Sequence, residues 1–299
     1  MKILFSILVH ENLEIIHDQI INFKKYNPNC LILLHVSKKF KESNIEEINL
    51  LPSQYRNVYI NSKSIITGLM DNSQLNGHLL NIEYSIVNNI KYDYLSLHAS
   101  NDMFVKKGLI EYMCNYDAGS SNNKVLPNTT WKQGINSLKD SKLKSILKQH
   151  NTKEIFGSQV EGLFIKKEIV IKIYESILKY NKKSTIEKID SYLREIIPSK
   201  YYLPIMLGVF PGYLYGKEEV YFASFIPIFT SNIGLPYVFI NWNNNLIVEK
   251  NDIKAIINND FTYLSQKLNV DSKYVNNFFA VKRVDRDMEN PIRKFINNL

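Results

Sequence analysis

A chain of 299 residues, 45% hydrophobic and 22% charged, is long enough to bury a substantial core and too ordinary in composition to be fibrous or disordered. Its net charge of +8 comes from scattered pairs such as Lys24-Lys25, Lys38-Lys39, Lys106-Lys107 and Lys182-Lys183. The lack of any long basic run, zinc-finger spacing or RNA-recognition signature argues against a nucleic-acid binder. Two cysteines, Cys30 and Cys114, exclude a disulfide framework and a cysteine metal site, and fit a reduced compartment.

The first run, Ile3–Val9, is apolar throughout, as a parallel strand covered on both faces requires. It is too short to cross a membrane and has no small-residue cleavage site, so the expected location is cytoplasmic, with peripheral contact at the inner membrane face as an extension. Glu14–Tyr26 places Ile16, Ile20 and Phe23 at helical spacing. Cys30–Val36 reads as a second buried strand, Asn57–Asn61 as a third, Gly77–Asn89 as a helix, and Tyr92–His98 as a strand ending at Ala99-Ser100-Asn101-Asp102. This alternation predicts an α/β fold: a Rossmann-type, mostly parallel central sheet flanked by helices. Ligands in such sheets bind beyond the carboxyl ends of the strands, where His10, Ser37 and Asp102 fall.

Lys106–Tyr116 reads as a helix, which Asp102 can cap as readily as it can contact a ribose or sugar hydroxyl. Gly119–Thr152 is polar and reads as a mobile loop with one short helix. Ile165, Ile169, Ile173 and Ile177 recur every four residues through Lys166–Tyr180, the pattern of an amphipathic helix. Tyr201–Trp242 is aromatic, apolar and interrupted by prolines, which argues against a spanning helix and for core strands and cleft loops, with a membrane-contacting surface as the alternative.

In chain order, several segments form a pattern. They are Ile7-Leu8-Val9-His10-Glu11-Asn12, Leu33-Leu34-His35-Val36-Ser37-Lys38-Lys39, Tyr92–Asp102, Gly157-Ser158-Gln159 with Leu163-Phe164-Ile165, Glu218-Glu219-Val220-Tyr221-Phe222-Ala223, and Phe279-Ala280-Val281-Lys282-Arg283-Val284-Asp285. The order and spacing resemble the core-2/I-branching β-1,6-N-acetylglucosaminyltransferase family, which includes the peptide O-xylosyltransferases. The resemblance covers nearly the whole chain and implies one GT-A-like domain. Residues 1–116 would hold the nucleotide sugar, and 153–299 the acceptor and the catalytic group. Ser37 stands where the family has an aspartate.

The resemblance implies inverting transfer of a sugar, N-acetylglucosamine first, from a UDP-sugar to an acceptor hydroxyl in a glycan or glycolipid, without a divalent metal or other cofactor. Glu219 matches the general base. His10, Ser37, Asp102, Lys282 and Arg283 match donor contacts, the last two meeting the diphosphate's charge. Gln159, Glu161 and Trp242 are candidates for acceptor binding; the tryptophan stacks on a sugar or belongs to the core. Two alternatives stay open: a metal-dependent GT-A transferase using the Asp-x-Asp spelling of Asp285 and Asp287, and a non-catalytic binder of nucleotide sugars or carbohydrate.

Overall fold

A computed structural model of the chain describes residues 1–10, 12–68, 72–179, 185–197, 202, 204–206, 209 and 214–299. Its strands in chain order are β1 Ile3–Val9, β2 Leu31–Val36, β3 Val58–Ile60, β4 Tyr94–Ala99, β5 Met103–Phe104, β6 Ala118–Gly119, β7 Asn123–Lys124, β8 Phe156–Gly157, β9 Phe164–Lys166, β10 Ile233–Gly234, β11 Val238–Ile240 and β12 Ala280–Lys282.

All residues of β1 and β2 are buried, as strands covered by helices on both faces must be. The seven-stranded sheet has the order β10-β6-β9-β4-β1-β2-β3. Strands β3, β2, β1 and β4 run parallel, and β9 enters antiparallel between β4 and β6. The expected α/β architecture is therefore present, with one reversed strand. A second sheet, β11-β12-β5, stands beside it.

One sheet face packs against helices Ser73–Val87, Lys167–Leu178 and Glu218–Phe229 through Leu79, Ile82, Ile173, Ile177, Phe222 and Phe225. The other packs against helices Leu13–Tyr26 and Ile45–Gln54 through Ile16, Ile20, Phe23, Ile48 and Leu51. Burying each such side chain stabilises the fold by roughly 1.5–3 kcal/mol. Beneath helix Ser73–Val87 lies a closed polar chain. Asn81 Nδ2 donates to Ser6 Oγ (2.9 Å), and Ser6 Oγ is hydrogen-bonded to His78 Nδ1 (2.9 Å). Burial lowers the His78 pKa to about 3, which keeps that ring neutral.

The sequence expectation fails in three places. Gly119–Thr152 contains two helices, Lys132–Ser137 and Ser141–Gln149, instead of a loop with one. The second buries Leu143, Ile146 and Leu147 and is capped by Asp140 Oδ1, which accepts from Leu143 N (3.0 Å); three apolar residues among lysines were too few to reveal it. Within Tyr201–Trp242, strands β10 and β11 do form, but Glu218–Phe229 is a helix buried on nearly all sides, so it shows no amphipathic period. Pro227 lies in its last turn and costs it one backbone hydrogen bond. The 201–213 part of that stretch falls largely outside the described residues, as does Glu11. The expected Lys106–Tyr116 helix shrinks to Leu109–Met113, because Gly108 at its N-cap adopts a left-handed φ of 103°. Among the described residues no helix is long and apolar enough to cross a membrane.

Candidate functional site

Three chain segments meet at the carboxyl end of β4. The segment after β4 is held from below by helix Leu13–Tyr26. Gln19 Nε2 donates to the carbonyls of Ala99 (2.7 Å) and Asp102 (3.1 Å), and Asn22 pairs with both backbone groups of Phe104 (3.0 and 2.7 Å). The second segment is the turn before β9, where Gly162 donates to Leu97 O (3.0 Å) and accepts from Tyr237 N (3.3 Å). Its φ is +77°, and a Cβ there would lie 2.6 Å from Val238 N, so only glycine fits beside Glu161. Gln159 braces the same turn by donating to Glu161 O (2.9 Å) and Val238 O (2.8 Å). The third segment is β12, which pairs with β11 and β5 and ends at Lys282.

Where they meet, the Glu161 carboxylate and the Lys282 ammonium form an ion pair, each side chain only 14% exposed. Burial opposes ionisation of both. The mutual attraction outweighs it, holding the Glu161 pKa below and the Lys282 pKa above the ordinary values.

Glu219 lies in the first turn of helix Glu218–Phe229, its carbonyl accepting from Ser158 N (2.9 Å). Burial, then the like charge of Glu161, pushes its carboxyl up to about 7, with Lys282 partly opposing. Glu219 thus titrates near neutrality against a charge pair already in place.

Asp102 is fully buried at the foot of the group. Its Oδ2 accepts from Ala99 N (3.1 Å) and meets His98 Nδ1 (2.8 Å), while its Oδ1 has no partner. Burial raises its pKa, against the pull of His98 and Lys282. Proton positions follow from the chain beyond it. Ser96 Oγ donates to Leu163 O (3.0 Å), so it accepts from the Tyr237 hydroxyl (2.6 Å), which in turn accepts from His98 Nε2 (2.6 Å). A single proton is left between His98 Nδ1 and Asp102 Oδ2. Asp102 therefore does not cap the helix that follows; its side chain is spent on His98 and the β4 end. His98 and Tyr237 were not singled out from sequence. The His98–Asp102 spacing at a strand end was the available signal, and Tyr237 had none.

The structure brings Asp102, Glu161, Glu219 and Lys282 into one charge-coupled group, with Gln159 behind it. Of the other residues singled out, Arg283 is coupled to the group through its like charge, which opposes the raised pKa of Lys282. Ser37 Oγ accepts from Thr67 N (3.2 Å), and Ser37 N donates to Val9 O (2.8 Å), so this residue ties the ends of β1 and β2 to the segment after β3. His10 is exposed at the end of β1, and Arg283 is exposed just past β12. Trp242 is 59% exposed past β11, which removes it from the core. Asp285 and Asp287 are exposed and accept from backbone N–H groups two residues on, at Asp287 (2.8 Å) and Glu289 (2.9 Å). Among the described residues no three His, Cys, Asp or Glu side chains are grouped to hold a metal ion.

The sequence matches no protein-family profile and none of the curated proteins. The chain is similar to the apo form of the glycosyltransferase GlyE of Streptococcus pneumoniae TIGR4, at 10% identity and a TM-score of 0.38, over 100% of this chain and 60% of that one. It is also similar to the galactosyltransferase LgtC in complex with donor and acceptor sugar analogues, at 8% identity and a TM-score of 0.40, over 100% of this chain and 94% of that one. The chain thus spans about three fifths of the GlyE chain.

Proposed function

We propose that this protein is an inverting glycosyltransferase of the GT-A kind, transferring a sugar from a UDP-sugar to an acceptor hydroxyl of a surface glycan. N-acetylglucosamine is the first candidate, and the reaction needs no divalent metal. One observation carries the reading: Glu219, its carboxyl pushed to about 7, faces a buried Glu161–Lys282 pair at the carboxyl edge of a parallel sheet. A general base works best with a pKa near the operating pH, and such help is worth roughly 10²–10⁴-fold. A structural carboxylate gains nothing from being held there.

In this mechanism ionised Glu219 takes the proton of the acceptor hydroxyl as its oxygen bonds to the anomeric carbon. The bond from that carbon to the phosphate oxygen breaks, its electron pair leaves with the nucleoside diphosphate, and configuration inverts. Lys282 exchanges Glu161 for the diphosphate as negative charge grows there, with Arg283 at the same strand end adding to the compensation. Glu161, released, accepts from an acceptor hydroxyl. Asp102, paired with His98 and with the Ala99 N–H, holds the end of β4 on which the donor rests.

The test is turnover of a panel of UDP-sugars, measured as transfer and as hydrolysis to water. Glu219→Gln keeps the shape and removes the base, so kcat should fall at least about a hundredfold with donor binding retained. In the unmodified enzyme kcat/KM should rise with pH through about 7, as Glu219 ionises. Turnover of the variant within a few-fold of the original removes Glu219 from the mechanism. A protein that binds UDP-sugars and turns over none is a binder instead.

A further inference from the structure

A cavity of about 450 Å³ opens where the chain leaves β2 and β3, on the helix Ser73–Val87 side of the sheet. Glu161, Lys282, Asp102 and Glu219 do not line it. Its size falls within the range of small-molecule sites, roughly 300–1,000 Å³. Leu75, Leu79 and Ile177 give it aliphatic walls, and the rings of Tyr174 and Tyr221 also face it.

The informative residue on its lining is Asn72. It stands at the N-cap of helix Ser73–Val87, where an asparagine side chain ordinarily accepts from the first turn, yet it makes no capping bond. It is only 5% exposed, and both its Oδ1 and Nδ2 are buried with no partner. Ser64 Oγ, on the same lining, is also buried without a partner. Buried side-chain amides are nearly always hydrogen-bonded, so three orphaned polar atoms on one cavity mark a place where a ligand supplies the bonds.

The chemistry of that ligand follows from what surrounds it. An amide offers a donor and an acceptor side by side, which suits a vicinal diol or an N-acetyl group. The acids on the cavity rim are matched by bases: Glu195 with Lys38 (3.0 Å), Asp190 with Arg194 (3.1 Å) and Glu83 with Lys63 (2.8 Å). Lys217 is matched by Asp140 (3.5 Å). With Lys142 also on the lining, four cations stand against three acids; this near balance fits a neutral ligand with polar edges and an apolar face, which describes a sugar ring.

Lys217 and Tyr221, four residues apart, share one helix face and line the cavity. Glu219, half a turn round, faces the Glu161–Lys282 pair. The start of helix Glu218–Phe229 therefore separates the two places by about one helix diameter, ~10 Å.

We propose that this cavity binds a neutral sugar unit of the acceptor, one or two units removed from the hydroxyl presented to Glu219. The proposal rests on the glycosyl-transfer reading for the word acceptor, but the site itself does not.

The test is saturation-transfer NMR and calorimetry with methyl glycosides of N-acetylglucosamine, galactose and glucose, with uridine as the nucleoside control. The proteins compared are the wild type, Asn72→Leu, Ser64→Ala and Glu219→Gln. A glycoside should bind, and Asn72→Leu should weaken it at least about tenfold while folding at least as stably, since it removes an unsatisfied amide. Ser64→Ala should weaken it less, and serves if Asn72→Leu does not fold. Glu219→Gln should bind as the wild type does, and Asn72→Leu should keep hydrolysis of the donor to water. If no glycoside binds, if binding ignores Asn72 and Ser64, or if uridine binding is what Asn72→Leu abolishes, the proposal is overturned. Glycoside binding through Asn72 with no UDP-sugar turned over upholds the site and refutes the transfer reading alone.

Discussion

Replacing Glu219 by glutamine should stabilise the protein, and only above a definite pH. Its carboxyl titrates at about 7 instead of the ordinary 4.5, because burial and Glu161 disfavour the charged form. A glutamate raised in this way costs the folded state nothing below about pH 4.5, where both states are protonated. The cost grows as pH rises from there to about 7 and is complete above it, where the folded state must hold a charge that the unfolded state holds freely. At about 1.4 kcal/mol per pH unit the full cost is roughly 3 kcal/mol. Glutamine carries no such cost. The Tm difference between Glu219→Gln and wild type should therefore be near zero at pH 4.5 and reach roughly 6 °C by pH 8, taking about 2 °C per kcal/mol for a chain of this size. Thermal unfolding followed by circular dichroism across that range measures it. A difference that does not change with pH, or a variant less stable than wild type at pH 8, would refute the account of Glu219 as a buried carboxylate held against Glu161.

Lys282→Met leaves Glu161 buried without its counter-charge and should cost roughly 3–5 kcal/mol in denaturant unfolding. Adding Glu161→Gln should recover most of that, and a single variant as stable as wild type would show that the pair is hydrated rather than buried. Gly162→Ala forces a left-handed φ and a contact with Val238 N, so it should lose more than about 1 kcal/mol of stability and lower transfer through displaced Glu161; an unchanged melting curve would contradict this. Transfer should persist in EDTA, and Asp285→Asn and Asp287→Asn should leave it unchanged. Activity abolished by EDTA, restored by Mn²⁺ and lost in either aspartate variant would establish the metal-dependent mechanism.

The strands β1 and β2 were legible because burial on both faces leaves an unbroken apolar run, and helix Lys167–Leu178 because its isoleucines recur every four residues. Helix Glu218–Phe229 was not, since a segment buried all round carries no period that separates it from strands and loops. Sheet order was beyond reach for a related reason: β9 is only three residues long, and nothing in Phe164-Ile165-Lys166 says it runs backwards between β4 and β6. For the site, the named carboxylates and Lys282 could be picked out singly, but not the coupling of Glu161 to both Lys282 and Glu219. The His98–Tyr237 contact spans 139 residues and left no local trace. Asn72 was not singled out from sequence, where the helix was read as Gly77–Asn89; only the fold places it at the N-cap and shows that its amide caps nothing.

Strand β12 sits between β11 and β5, setting Ala280 opposite Phe104 and Val281 opposite Met103 across more than half the chain. During synthesis Glu161 emerges long before Lys282, the ammonium that pairs with it. Until β12 is in place, Glu161 and Glu219 repel one another without the Lys282 charge that opposes this in the folded protein. Docking of β12 then does two things in one step: it closes the small sheet and gives Glu161 its counter-charge. Closing so long a loop costs entropy only logarithmically in its length, so the delay lies in waiting for the chain rather than in joining it. Chains released early would keep the sheet's first strands and lack the charge balance of the site, a defect that pH-dependent unfolding distinguishes from loss of fold.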